Sequence, residues 1–290
     1  MTWRTVVLTK NCKLSLRMNH LVIKSDEVTT IPLSEIGQVI IDNPNIVMTG
    51  HILNALSKHK ITTIISNERH IPFSHINLVY GHFRQAAIMK QQFTWKAEYK
   101  DILWQQIIKH KISNQKSVLK AFEKNATLDY FDKYIDQVEL ADETNREGHA
   151  AKVYFNQLFG MTFIRGRDTP INWALNYGYS LLLSLFTRVI ITKGLLTEIG
   201  IHHRNQYNHF NLASDFMEVY RPLIDYIVKL HVDDEFDQDA KLELLSVFNR
   251  KVLIKQRKQY LTNSVEIYVD GLIKYLNTGK TEYLSFPKVI

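Results

Sequence analysis

Cysteine is almost missing. Cys12 is the single one in 290 residues, so neither a disulfide framework nor a thiolate zinc site can be built, and a reducing compartment is expected. Glycine and proline are scarce, 11 and 6, which excludes collagen-like and low-complexity disordered chains. No apolar run is long enough to cross a bilayer. The most apolar stretch, Leu181 to Ile191, is interrupted by Arg188 and reads as a buried helix. The opening residues Met1-Thr2-Trp3-Arg4 lack the apolar core of a signal peptide. A cytoplasmic protein with no membrane partner is expected. The phosphate loop Gly-x-x-x-x-Gly-Lys-Ser/Thr is absent too, so nothing points to ATP.

What is present is ordinary globular material, 45% hydrophobic, 22% charged and 11% aromatic. Lys and Arg outnumber Asp and Glu, 36 to 29, for a net charge of +7. That excess suits a polyanionic partner, nucleic acid being the commonest for a soluble basic protein. A merely basic enzyme has the same composition.

The first quarter reads as strands. Thr5 to Leu8, Lys13 to Leu16 and Leu21 to Ile23 are short and β-branched or alternating, with Asn19-His20 as a hairpin turn. Val39 to Ile41 and Ile61 to Ile65 look like buried strands, separated by a short helix from Thr49 to His59 with Thr49 as its N-cap. Residues 67–77, with Pro72 and several polar side chains, read as a linker. From about Leu78 the period becomes helical, Ile102, Leu103, Ile107, Ile108 and Ile112 falling mostly on one face. The expected fold class is α+β: a small β-rich domain, 1–76, followed by a larger all-α domain, 77–290.

Two segments carry candidate chemistry. In the first, Asn145 to Phe155, Glu147 lies beside Gly148, Ala150 and Ala151, which let other backbones approach. Alone it reads equally as a helix start with a solvated acid. The second runs from Gly200 to Pro222. Asn211, Asp215 and Glu218 are spaced i, i+4, i+7 and share a helical face next to Leu212, Phe216 and Val219. With His202 and His203 just upstream, carboxylates plus imidazole suit Mg²⁺ or Mn²⁺ better than a structural zinc. A surface histidine pair and a solvated helix face remain open as the plainer alternative.

Together, Glu-Gly-His-Ala-Ala-Lys-Val-Tyr-Phe at 147–155 and Gly-Ile-His-His-Arg-Asn-Gln-Tyr-Asn-His-Phe-Asn-Leu-Ala-Ser-Asp-Phe-Met-Glu at 200–218 resemble the signature blocks of the CRISPR-associated integrase/endonuclease family, in its type II-A form. The β-rich start, the helical remainder and the length agree, so the resemblance spans the chain. It implies a metal-dependent DNA integrase that joins 3′-hydroxyl ends of prespacer DNA into a CRISPR repeat by transesterification. Glu147, His203 and Glu218 are the implied catalytic metal ligands for Mg²⁺ or Mn²⁺, with Asp215 as an auxiliary acid, either at the metal or one step behind it. His202 is the residue that competes with His203 for the ligand role. The resemblance also implies a homodimer, double-stranded DNA, and a dimer of a small ferredoxin-like CRISPR-associated partner contacted by the N-terminal domain. A ring-forming accessory protein and an RNA-guided nuclease belong to type II-A acquisition. Where the family continues Pro-Phe-Arg-Pro after the second Glu, this chain has Val219-Tyr220-Arg221-Pro222, which leaves the implied ligands in place.

Two basic stretches are candidate DNA surfaces. Arg84 to Lys124 is rich in Lys and Arg, Arg84 and Lys90 among them, interleaved with Phe93, Trp95, Tyr99 and Trp104. Arg250 to Lys258 is free of acids, and helical spacing would put Lys251, Lys255 and Lys258 on one face. The acidic run Asp233 to Asp239 has Gln238 where a calcium loop needs glycine and reads as a solvated loop. Two other functions stay in view: a structure-selective endonuclease acting on branched DNA, and a non-catalytic DNA-binding scaffold.

Overall fold

The computed structural model describes residues 4–68, 72–76 and 82–290. Residues 1–3, and with them most of the opening segment, lie outside the described residues, as does position 77, where the sequence placed its boundary. The chain divides into two compact units, residues 1–83 with 191–194, and residues 84–190 with 195–290.

The first unit holds β1 (Arg4–Leu8), β2 (Lys13–Arg17), β3 (His20–Lys24), β4 (Val28–Pro32), β5 (Ile36–Ile41), β6 (Val47–Met48), α1 (Gly50–Lys58), β7 (Thr62–Ser66) and β8 (Pro72–Ile76). Among the described residues these form two four-stranded sheets, ordered β1-β5-β7-β8 and β4-β3-β2-β6. β5 is buried along its whole length and runs parallel to β1 and β7, so it reads as a continuous apolar run rather than an alternating one. The β2–β3 turn centres on Met18 and Asn19, both with positive φ (47° and 59°), one residue earlier than the sequence placed it. Such a turn matches the strands' own twist. α1 begins where expected, with Thr49 accepting a hydrogen bond from Ile52 N. Leu14, Leu21, Leu33, Ile36, Val39 and Ile52 are fully buried in the core of this unit. The expected linker is corrected in part: residues 72–76 form β8, antiparallel to β7, because strand pairing satisfies backbone groups that the polar composition had suggested were solvated.

The second unit contains α2 (Gln85–Phe93), α3 (Ala97–Ala121), α4 (Leu128–Asp136), α5 (Arg146–Phe159), α6 (Pro170–Thr192) up to Ile190, α7 (Asn211–Met217), α8 (Arg221–His231), α9 (Gln238–Leu245), β9 (Lys251–Ile254), β10 (Arg257–Tyr260) and α10 (Leu261–Thr278). The long α3 is its axis and packs against α4, α5, α8 and α10. Trp104, Ile107, Ile108, Ile112, Val118 and Leu119 line its buried stripe. α6 extends well beyond the apolar stretch noted in the sequence. At 23 residues it is long enough to cross a bilayer, but 72% of its most apolar window is buried inside the protein, and Arg188 within it pairs with Glu266 of α10. It is a core helix.

The unit is not all helical. Arg250 to Lys258 was expected on one helical face, but the structure makes β9 and β10 an antiparallel hairpin. Lys255 and Gln256 turn it, both with positive φ (47° and 59°). Lys251 pairs with Tyr260, and Lys258 with Leu253, which places these four on the exposed face. Val252 and Ile254 bury the other. The β-branched alternation of Val252 and Ile254 outweighs the helical spacing of the lysines.

Candidate metal centre

Each acid of the site is placed by a local device. Ahead of α5, Ala141, Asp142 and Asn145 all take positive φ, between 52° and 55°, an uncommon conformation for residues with a side chain. Asp142 accepts hydrogen bonds from Arg146 N (2.8 Å) and Glu147 N (3.0 Å). Asn145 accepts one from Gly148 N. These bonds occupy the orphan donors of the first helical turn, and the backbone of Glu147 is fixed as a result. A Cβ on Gly148 would lie 2.7 Å from Asn145 Oδ1, so the cap requires the glycine.

The histidine loop is built from three polar side chains. Gln92 of α2 donates to Leu196 O and Ile199 O and accepts from Leu196 N. Asn211 donates to Glu198 O and Asn205 O. Asp215, fully buried, takes the rest. Its Oδ2 accepts from Ile201 N (2.7 Å) and His202 N (3.0 Å), and its Oδ1 from His203 N (3.1 Å). The same Oδ1 lies 2.5 Å from His203 Nδ1. A Cβ on Gly200 would sit 2.5 Å from His203 O and 2.7 Å from Asp215 Oδ2, so the tight loop admits no side chain there.

This geometry separates two roles that the sequence left merged. Asp215, for which the sequence leaves open a place at the metal or behind it, has both oxygens engaged by the loop, and one of them holds the His203 ring. The two histidines also differ. His202 stacks on Trp104, ring centroids 4.1 Å apart and 3° from parallel. His203 meets Trp104 edge-on, and its Nδ1 is held by Asp215, leaving Nε2 open. The hydrogen bond to Asp215 raises the His203 pKa above its ordinary value against the effect of burial, whereas burial lowers that of His202.

α7 tightens into a 3-10 turn at Glu218–Tyr220. Asn211, Asp215 and Glu218 do share a face, but it is buried, which overturns the solvated-face alternative. Glu218 Oε1 forms an ion pair with Arg221 Nε at 3.0 Å. Glu218 Oε2 and Glu147 Oε1 each lie 2.5 Å from the same atom, Lys111 Nζ. Arg221 and Lys111 hold the Glu218 carboxyl below its usual range, overcoming a burial effect that is larger than either alone. For Lys111 burial works in the opposite sense, to lower the pKa, but Glu147 and Glu218 outweigh it and keep the ammonium charged.

Lys111 was missed by sequence reasoning, although a signal existed. It falls inside the apolar stripe of α3, between Ile108 and Ile112, where an uncompensated charge would be costly. Within the surrounding stretch from Arg84 to Lys124, a candidate DNA surface in the sequence, Phe93 is exposed whereas Trp95 and Trp104 are buried; Trp95 Nε1 donates to Asn277, and Lys111 points into the acid pair. Arg84 lies exposed just ahead of α2, and Lys251, Lys255 and Lys258 are exposed on the hairpin.

Among the described residues no three His, Cys, Asp or Glu side chains stand in ready metal-binding geometry. The donors nonetheless fit a hard cation. Two carboxylates converge on one positive charge, and an oriented imidazole lies within electrostatic range of both.

The family model for CRISPR associated protein Cas1 matches residues 5–258. The chain is 31% identical to the CRISPR-associated endonuclease Cas1 of Neisseria meningitidis serogroup C (strain 8013), over 100% of this chain and 97% of that one. It is 25% identical to a CRISPR-associated endonuclease Cas1 of Saccharolobus solfataricus, over 91% of this chain and 86% of that one. Among solved structures, a casposase bound to its integration product gives a TM-score of 0.77 at 18% identity, covering 97% of this chain and 92% of that one. A chain of a Cas6-RT-Cas1–Cas2 complex gives 0.75 at 20% identity, covering 97% of this chain and 36% of that longer one. At such identities the structural likeness speaks to the fold.

Proposed function

The chain belongs to the CRISPR-associated Cas1 family, and we propose that it is a type II-A member, a metal-dependent DNA integrase that joins 3′-hydroxyl ends of prespacer DNA into a CRISPR repeat. The observation that carries this reading is the convergence of Glu147 and Glu218 on one cationic atom beside a histidine oriented by Asp215. Carboxylate oxygens and an imidazole suit Mg²⁺ or Mn²⁺. When bound, that ion supplies Lewis acidity at the scissile phosphate and stabilises the leaving oxygen.

The chain's own residues then have separable tasks. Glu147 and Glu218 supply the negative charge that keeps a cation between two polyanions. His203 offers Nε2, and Asp215 fixes the ring. Arg221 offsets the charge of buried Glu218. In the reaction the prespacer 3′-oxygen forms a bond to phosphorus as the repeat's own 3′-oxygen leaves. One phosphodiester replaces another, one hydroxyl proton is lost and one is gained, and no ATP is consumed.

Half-site integration with purified protein tests this reading. Joined product is expected only with Mg²⁺ or Mn²⁺ and only from DNA with a free 3′-hydroxyl. A second reading, a structure-selective endonuclease acting on branched DNA, is favoured by the name the relatives carry. Cleavage indifferent to the 3′-hydroxyl would select it. A non-catalytic DNA-binding scaffold would leave this buried acid cluster without a task.

The assembly follows the same reading. The protein acts as a cytoplasmic homodimer on double-stranded DNA, with residues 1–76 making dimer and partner contacts. A dimer of the small ferredoxin-like CRISPR-associated partner joins it, a Cas1–Cas2 pairing being named in one structural neighbour. The type II-A ring-forming accessory protein and RNA-guided nuclease complete the acquisition set. Arg84 and the hairpin lysines Lys251, Lys255 and Lys258 supply phosphate contacts.

A further inference from the structure

Lys111 is buried, 7% exposed, on the α3 stripe. Its ammonium is within 2.5 Å of an oxygen from each of two carboxylates that the proposed function assigns to a divalent ion. A buried ammonium needs acceptors, and two carboxylates brought together need a cation, since like charges at close range disfavour each other's ionised form. Each side of this arrangement thus satisfies the other, and the lysine serves as a built-in counter-ion.

The two cations compete for the same atoms. A divalent ion binds carboxylate oxygens at roughly 2.0–2.6 Å, close to the distance at which Nζ already stands from Glu147 Oε1 and Glu218 Oε2. Glu218 cannot serve both by turning, because its other oxygen is paired with Arg221 Nε at 3.0 Å. The approach lies on the outer side of the pair. The Glu147 side chain is 28% exposed and that of His203 42%, against 4% for Glu218.

We propose that Lys111 is the resident cation of the centre and that the divalent ion binds by exchange, displacing the Lys111 ammonium from Glu147 and Glu218. This inference rests on the metal-dependent reading above and adds a property to it. Without metal the site is held closed and neutralised rather than left as a repelling acid pair. Metal affinity is set by competition with an internal lysine. An ammonium freed beside the site is then available to a phosphate of the DNA.

The test is direct Mn²⁺ binding to the full-length protein, followed through the electron paramagnetic resonance signal of free Mn²⁺, with thermal denaturation alongside. Lys111→Met removes the competitor and keeps much of the stem. It should bind Mn²⁺ about tenfold or more tightly than the wild type. It should also melt lower without metal and recover more on adding it. Equal or weaker Mn²⁺ binding by the variant, with the wild type still binding, overturns the exchange and leaves the metal-dependent reading standing. No binding by either protein overturns both.

A second measurement needs only wild-type protein. With ¹⁵N-labelled lysine, the shielded Lys111 ammonium gives a slowly exchanging signal, assigned by its loss in Lys111→Arg. Saturating Mg²⁺ should shift this signal and speed its exchange. A signal unchanged by saturating Mg²⁺ overturns the proposal even if the methionine variant fails to fold.

Discussion

Asp215 and His203 form a carboxylate–imidazole pair in which Oδ1 lies 2.5 Å from Nδ1, while the same carboxylate also accepts three backbone N–H groups of the loop that carries the histidine. One buried side chain therefore sets both the path of the loop and the direction of the ring. Carboxylates that orient a metal-binding imidazole, the role proposed here for Asp215, are worth about 10–100-fold in metal affinity or activity. Asp215→Asn should lower strand joining by about that range, because an amide presents one NH₂ to a set of donors. Part of the loss should return with excess Mn²⁺. Activity equal to wild type across a metal titration would show that ring orientation is not what Asp215 provides.

Glu147, His203 and Glu218 should each be required for joining, with DNA binding retained when any one is changed to Ala. The two acids should differ in stability. Glu218 is 3% exposed and pairs with both Lys111 and Arg221. Removing one partner of a buried ion pair costs roughly 3–5 kcal/mol. Glu147 is more exposed, and its loss should cost less. Denaturant midpoints of Glu147→Ala and Glu218→Ala measure the difference, and coincident midpoints would contradict the burial argument. Joining at the wild-type rate by Glu147→Ala would falsify its role as ligand.

Gly200→Ala tests the loop without touching a proposed ligand. Its Cβ would meet His203 O and Asp215 Oδ2 at 2.5 Å and 2.7 Å, so the loop must shift. Mn²⁺ binding and joining should both fall while far-ultraviolet circular dichroism stays unchanged. Gly50, with nothing within 4 Å of its Cβ position, is the matched control and should tolerate the same change.

Asp225 links stability to pH. Burial pushes its carboxyl from 3.8 up to about 6, against the hydrogen bond donated by Tyr179. The folded protein then holds this proton more tightly than the unfolded chain. Stability from this group is greatest below pH 3.8 and declines as pH rises toward 6. At ~1.36 kcal/mol per unit, the decline is about 3 kcal/mol. Asp225→Asn should flatten it, so urea midpoints of the variant should change less between about pH 4 and pH 7 than those of the wild type. Parallel pH profiles would remove Asp225 as the source.

The hairpin lysines are tested by salt. Nonspecific affinity for duplex DNA falls with log salt at a slope of roughly −0.9 per phosphate contacted. Changing Lys251, Lys255 and Lys258 to Gln should reduce the slope by up to about 3, equally for unrelated sequences. Lys251 and Lys258 share the exposed strand face, so that pair alone should account for about 2 of it. Parallel log–log lines for wild type and triple variant would shift the DNA surface to Arg84 and Lys90.

The sequence alone determined the β-rich start, the helical remainder and the residues of the acid and histidine blocks. Each of these is local: strand alternation, helical period, a cap at Thr49, a signature of adjacent side chains. It could not tell a strand from a helix over Arg250 to Lys258, because Lys255-Gln256 lacks the Asn-Gly chemistry that marks a two-residue turn. It set His203 apart from His202 only through the family resemblance, and it left open whether Asp215 lies at the proposed metal or behind it. Those assignments depend on partners far along the chain. Trp104 takes one histidine, Asp215 the other, and Lys111 joins acids 36 and 107 residues away. Only tertiary packing brings Lys111 within 2.5 Å of both acids, because the cost of burying each charge is offset only when all are buried together.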